Sequence, residues 1–143
     1  YVSSSPWQLL SPWSELLARA DFPAGTIHLR NFRLRDHMLR RMFPLHRRGK
    51  GGVIAHLLES FPHRRFLLIG DSGERDPIIY AKLVLKHPDQ IDAVLIRILD
   101  EEHRRRLLER WSRSPRLASK LLMFRNADEF RALCAERWPN GSR

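Results

Sequence analysis

The sequence predicts an α/β domain, a parallel sheet with helices on both faces. Short apolar bursts of strand length alternate with stretches of helical periodicity along the whole chain, the pattern of βα units wound into a parallel sheet. The run Phe66 to Asp76, FLLIGDSGERD, closes an apolar segment in a Gly-Asp turn, adds a second carboxylate at Asp76 and leads into Pro77. Such a strand delivers acids to the carboxyl edge of a sheet, where α/β folds bind ligands, so the two acids are candidates for holding a metal ion. A length of 143 residues with 43% hydrophobic content suits one domain with a packed core.

Each element follows from local pattern. Tyr1 and Val2 read as the end of a strand that breaks at Ser3-Ser4-Ser5-Pro6. Helical spacing runs from about Pro12 to Arg19, and Thr26 to Leu29 reads as a second strand after the Pro23-Ala24-Gly25 turn. Val53, Ile54, Leu57, Leu58 and Phe61 repeat at helical intervals before the Pro62-His63 break and the strand Phe66 to Ile69. A helix over Pro77 to Leu85 starts with proline, where no intrahelical donor is lost. Ala93 to Ile98 is the next strand, Glu101 to Trp111 the next helix, and Leu121 to Phe124 the last strand. The last helix covers Ala127 to Trp138, with Phe130, Leu133, Cys134 and Trp138 inward. No repeat, low-complexity tract or interdomain linker interrupts the series, so residues 1–143 read as one domain.

Composition narrows the classes. No stretch reaches the roughly 20 apolar residues of a membrane span. The single Cys134 excludes an internal disulfide and a cysteine-rich zinc site, reads as a small apolar residue on a buried helix face, and leaves the compartment open. The formal charge is +10, carried almost wholly by arginine, with lysine only at 50, 82, 86 and 120. That balance suits an anionic membrane surface, a phosphorylated substrate, a nucleic acid or simply a solvated arginine-rich surface. No recognition motif or aromatic stacking platform supports nucleic acid, and no such partner is expected.

Two lookalikes of Gly70-Asp71-Ser72-Gly73 fail. Around a chymotrypsin-type nucleophile glycine and proline follow, whereas Glu74-Arg75 stand here, and those disulfide-containing antiparallel barrels do not fit one cysteine and βα alternation. The lipase elbow G-x-S-x-G needs glycine where Glu74 stands. Ser72 is therefore expected to lack a histidine partner.

The acidic turn gains meaning beside two other positions. A serine ending a strand (Ser3), a lysine starting a helix (Lys50), then Gly-Asp with a second aspartate five residues on (Asp71, Asp76) is the order of the second, third and fourth motifs of haloacid dehalogenase-type phosphatases, which the chain resembles. More narrowly, YVSSSPW, the FPAG turn, KGGVIAHLLESFP and FLLIGDSGERDPIIYAKLVLKHP resemble the catalytic domain of the actin-patch phosphatidate phosphatase family, from Tyr1 to about Ile98.

That resemblance implies a Rossmann-like haloacid dehalogenase fold and a Mg²⁺-dependent phosphatase acting on phosphatidate or another phosphomonoester. Asp71 is implied as a metal ligand, with Asp76 a second ligand or the anchor of a metal-bound water. Lys50 would neutralise phosphate and the attacking carboxylate, and Ser3 or Ser4 would donate to a phosphoryl oxygen. These groups suit a transition state whose charge is spread over the phosphoryl oxygens. Each also has a structural reading: the Gly-Asp turn as a strand-ending loop, Asp76 as a helix N-cap, serine before proline as a turn former, and Lys50 as one more solvated cation after Arg47-Arg48. All four are expected to converge at the carboxyl end of the sheet.

One departure stands out. The superfamily's nucleophile comes from a DxDx(T/V) motif at the end of a central first strand, and no pair of aspartates in this chain has that spacing. The motif is expected upstream of Tyr1, so the chain reads as an N-terminally truncated portion of the phosphatase domain with its first central strand missing. A gap or distortion is expected between the strand ending at Ser3 and the strand Phe66 to Ile69, with low stability of the chain by itself and no turnover from it. The alternative is a non-catalytic module that binds phosphate or anionic lipid. The segment Arg30 to Arg48 interleaves arginines with Phe32, Leu34, Met38, Leu39, Met42, Phe43 and Leu45, a composition suited to peripheral contact with an anionic membrane or to a helix packed on the domain; Arg30, its first residue, is a candidate for substrate binding.

Overall fold

The computed structural model describes residues 1–30 and 49–139, so most of the arginine-rich segment lies outside the described residues. The chain forms two compact units, Tyr1–Ser60 and Phe61–Arg143. Each has its own parallel sheet.

In the first unit, β1 (Val2–Pro6) pairs in parallel with β2 (His28–Arg30), matching Val2 to His28 and Pro6 to Arg30 with an irregular register between them. The serine run does not end β1 as expected. Ser3 Oγ accepts the Ser5 N–H at 3.2 Å and lies 3.0 Å from Ser5 Oγ, so side-chain bonds carry extended backbone through the irregular stretch. A single 3₁₀ turn, Trp7–Leu9, leads into α1 (Leu10–Arg19). Pro12 falls in the first turn of α1, where backbone donors have no intrahelical acceptor in any case. At its other end Phe22 N–H reaches Leu17 C=O and Asp21 N–H reaches Ala18 C=O, the bond pair of a Schellman cap. Asp21 takes the left-handed conformation, with φ of 53°. α2 (Lys50–Ser60) buries Ile54 and Leu58 and packs against β1.

In the second unit β3 (Phe66–Asp71), β4 (Ile91–Arg97) and β5 (Leu121–Phe124) form a three-stranded parallel sheet in that order. α3 (Asp76–Lys86) joins β3 to β4, while α4 (Glu101–Trp111) and the short α5 (Pro115–Ala118) join β4 to β5. α6 (Ala127–Arg137) follows. Asp100 caps α4 by accepting the His103 N–H, and Asn126 caps α6 by accepting those of Asp128 and Glu129. β4 buries Ala93, Val94, Leu95 and Ile96 in succession, so both of its faces are covered. Tyr80, Leu83 and Val84 of α3, Leu107 and Trp111 of α4 and Leu117 of α5 complete the core.

Strand and helix alternation and parallel pairing follow the sequence, and the described strands fall into two parallel sheets. β3 pairs with β4 on one edge and has no strand on the other among the described residues. Leu67 and Ile69 of β3 are 45% and 54% exposed, where the neighbouring β4 is buried throughout its centre. α6 also departs from expectation: it ends at Arg137 with Trp138 as its C-cap, and Phe130, Leu133, Cys134 and Trp138 are only half-buried. α6 packs on β5, the far edge of a narrow sheet, where Phe124 and Phe130 meet edge to face at 5.0 Å between ring centres.

Candidate active site

β3 continues past its apolar run through Gly70 and Asp71, because Gly70 pairs with Ile96 and Asp71 with Arg97 on the buried β4. The Asp71 carboxylate then folds the chain: its Oδ1 accepts the Gly73 N–H at 2.7 Å, an Asx turn. No hydrogen bond among the described residues engages its other oxygen. A Cβ at Gly73 would lie 2.6 Å from Leu99 Cδ1, the end of a half-exposed side chain, and 3.0 Å from Asp71 Oδ1. Ser72 is spent on the neighbouring loop. Its N–H donates to Arg97 C=O at 2.9 Å and its Oγ accepts the Leu99 N–H at 3.1 Å. It has no histidine partner among the described residues.

Asp76 sits at the first position of α3 and is 4% exposed. The N-cap position belongs to Arg75, not to Asp76. Its carboxylate turns back toward the strand, and Oδ2 accepts the Asp71 N–H at 3.4 Å. One helical turn further on, Tyr80 is 3% exposed and donates its hydroxyl to Ile69 C=O at 2.9 Å. Burial pushes the Tyr80 phenol well above its ordinary pKa, and the charge of Asp76 and a hydrogen bond to it act in the same direction. A phenol has one proton, so the carbonyl and the carboxylate compete for it. Gly70 makes this packing possible: a Cβ there would stand 2.6 Å from Asp76 Oδ2 and 2.7 Å from Tyr80 Cε2.

The structure therefore brings Asp71 and Asp76 together at the carboxyl end of β3. Ser3, Ser4 and Lys50 belong to the other compact unit. Ser3 is mid-strand and half-buried, bonded to Ser5 as described, and not strand-terminal as the sequence suggests. Ser4 is exposed. Lys50 is the first residue of α2, half-buried, with no acidic residue in that first turn. A cation at the positive end of a helix is electrostatically unfavourable and adds to the anion-attracting field of that end. Arg30 closes β2 opposite Pro6.

Two participants escape a sequence reading. Arg97 is exposed and is the register partner of Asp71, a placement legible only once the strand pairing is known. Tyr80 follows Asp76 at i+4, a spacing that puts both on one helix face and could have marked it. Among the described residues no three carboxylate, histidine or cysteine side chains cluster to hold a metal ion, and the cluster here is a pair of aspartates.

Fold and site define a parallel α/β protein with a carboxylate pair fixed at a strand end. The chain belongs to the family described as phosphatidate phosphatase APP1, catalytic domain, which matches residues 1–98, from β1 through the end of β4. Over 97 residues, 68% of this chain, it is 35% identical to phosphatidate phosphatase APP1 of Saccharomyces cerevisiae. It is 32% identical over 98 residues, again 68% of the chain, to an uncharacterized protein of Schizosaccharomyces pombe. The match spans 16% of the length of each of these relatives. No solved structure matches the chain.

Proposed function

We propose that the chain is part of a Mg²⁺-dependent phosphatase of haloacid dehalogenase type that hydrolyses phosphatidate or a related phosphomonoester in its intact parent. The observation that carries this reading is the Asp71–Asp76 pair, fixed at the strand end within the region that matches the family. Carboxylate oxygens are hard ligands of the kind Mg²⁺ takes, and Asp71 keeps one oxygen outside the Asx turn. Asp71 would hold the ion together with carboxylates from the nucleophile motif. A bound Mg²⁺ supplies charge neutralisation of the phosphoryl oxygens.

The chain's own residues do the rest. Lys50, with the α2 N-terminus, attracts the phosphate dianion and offsets the charge of an attacking aspartate, and Ser3 or Ser4 donates to a phosphoryl oxygen. Ser4 has the exposed hydroxyl of the two. The nucleophile is an aspartate of a DxDx(T/V) motif, which none of the 143 residues provides. The open edge of β3 offers a place for the strand that would carry it. A strand there would continue the ladder and bring chain over the half-exposed Leu67 and Ile69. Covering both contributes on the order of 1–3 kcal/mol.

The missing motif and the charge of +10 also favour a second reading, a module that binds phosphate or anionic lipid without hydrolysing it. One experiment separates them. Phosphate release from phosphatidate is measured with the intact parent and with the first aspartate of its DxDx(T/V) motif changed to asparagine; the phosphatase reading expects release from the first and none from the second. Binding without release by the parent would establish the module instead.

A further inference from the structure

The acidic turn is built from underneath by a group that no part of the proposed chemistry uses. Asp76 is 4% exposed, so its carboxylate depends on buried donors in place of water. The Asp71 N–H is a distant one, at 3.4 Å. Tyr80 is the other group packed there, and the absence of a side chain at Gly70 leaves the space that its ring edge and the carboxylate share.

We infer that Tyr80 is a positioning residue for Asp71: its buried phenol ties Asp76 to the end of β3, and Asp76 in turn fixes the backbone from which the Asp71 carboxylate projects. The contacts run in one direction. Tyr80 Oη donates to Ile69 C=O at 2.9 Å, on one side of Gly70, and the Asp76 carboxylate, which accepts the Asp71 N–H on the other, competes with that carbonyl for the phenol's proton. The arrangement assigns different work to the two acids. Asp71, half-buried and with one oxygen outside the turn, faces outward as the ligand, while Asp76 is the support beneath it. This rests on the phosphatase reading only for what Asp71 binds, not for what holds it.

Tyr80→Phe in the intact parent tests both halves. Without metal, hydrogen exchange at the Asp71 and Gly73 amides is expected to rise about 10-fold relative to the amides of β4, since loosening is local to the turn. With metal, the calorimetric Kd for Mg²⁺ is expected to weaken about 10-fold or more, the usual effect of removing a group that orients a ligand, while saturating Mg²⁺ restores most of kcat. Leu83→Ala is the control for a merely structural loss, because it should accelerate exchange in β4 and in the turn together. Should Tyr80→Phe fail to fold, Gly70→Ala, which crowds the same carboxylate from the strand side, must give the same selective change at the turn. Unchanged exchange at Asp71 in a folded Tyr80→Phe protein overturns the inference whatever the metal result. Faster exchange at the turn in a parent whose wild type neither binds Mg²⁺ nor releases phosphate keeps Tyr80 as the support of the turn and removes the phosphatase reading instead.

Discussion

Gly70→Ala is the smallest change that probes the packed base of the acidic turn. The added methyl would meet Asp76 Oδ2 at 2.6 Å, Tyr80 Cε2 at 2.7 Å and Asp76 Cβ at 2.8 Å, where ordinary contact begins at 3.4 Å. The neighbours must retreat by roughly 0.8 Å, and neither is the loose end of a flexible side chain: Tyr80 is 3% exposed and Asp76 4%. Overpacking of this kind costs about 1–3 kcal/mol. Relief of the entropy that glycine loses in a strand returns about 0.5–1 kcal/mol. The net expectation is destabilisation of about 1 kcal/mol, a factor of roughly 5 in the opening equilibrium. Native-state hydrogen exchange at the Asp71 and Gly73 amides, taken relative to the β4 amides of Val94, Leu95 and Ile96, reads it even within a longer parent, because the crowding is local to the turn. Exchange that is unchanged or slower would refute the reasoning, since it would mean that position 70 has room for a side chain and that the carboxylate is not packed against it.

Three further outcomes are expected. Lys50→Ala in the parent should lower turnover without rescue by excess Mg²⁺, because its charge would act on phosphate and not on the metal; rescue would reassign it. Stability should fall as pH rises above about 10: the folded-state pKa of Tyr80 is raised, so above the unfolded value the unfolded chain has fewer protons bound at this site and is favoured. An alkaline melting series on Tyr80→Phe should lack that component, and identical pH profiles would contradict it. Arginine substitutions between Arg30 and Arg48 should weaken action on phosphatidate vesicles more than on a soluble phosphate ester, if that segment meets the membrane; equal losses would remove the membrane role and leave the chemistry in place.

The order of strands and helices was legible because each depends on local periodicity and on glycine and proline punctuation. Strand ends were less so. β3 runs two residues past its apolar stretch because Gly70 and Asp71 find partners on β4, and pairing between distant segments leaves no local mark. β1 outlasts its apolar start because serine side chains bond within the strand, where the same residue types also form turns. The carboxylate pair was legible as a motif, but its inner construction was not. Only the contact distances show that the absence of a side chain at Gly70 admits both Tyr80 and Asp76. The half-buried α6 reflects its place on the outermost strand, which a hydrophobic pattern read one helix at a time does not reveal.

The most direct test of the central claim is the Mg²⁺ dependence of phosphate release from phosphatidate by the intact parent and by its Asp71→Asn variant. On the proposed mechanism, repulsion among the nucleophile carboxylates, Asp71 and the phosphate dianion would make the ion necessary. The wild type is therefore expected to release phosphate only when Mg²⁺ is present. Asp71→Asn should be much slower at the same concentration and recover in part as Mg²⁺ is raised. Full activity of Asp71→Asn without added metal would contradict the assignment of this turn as the metal-binding end of the active site.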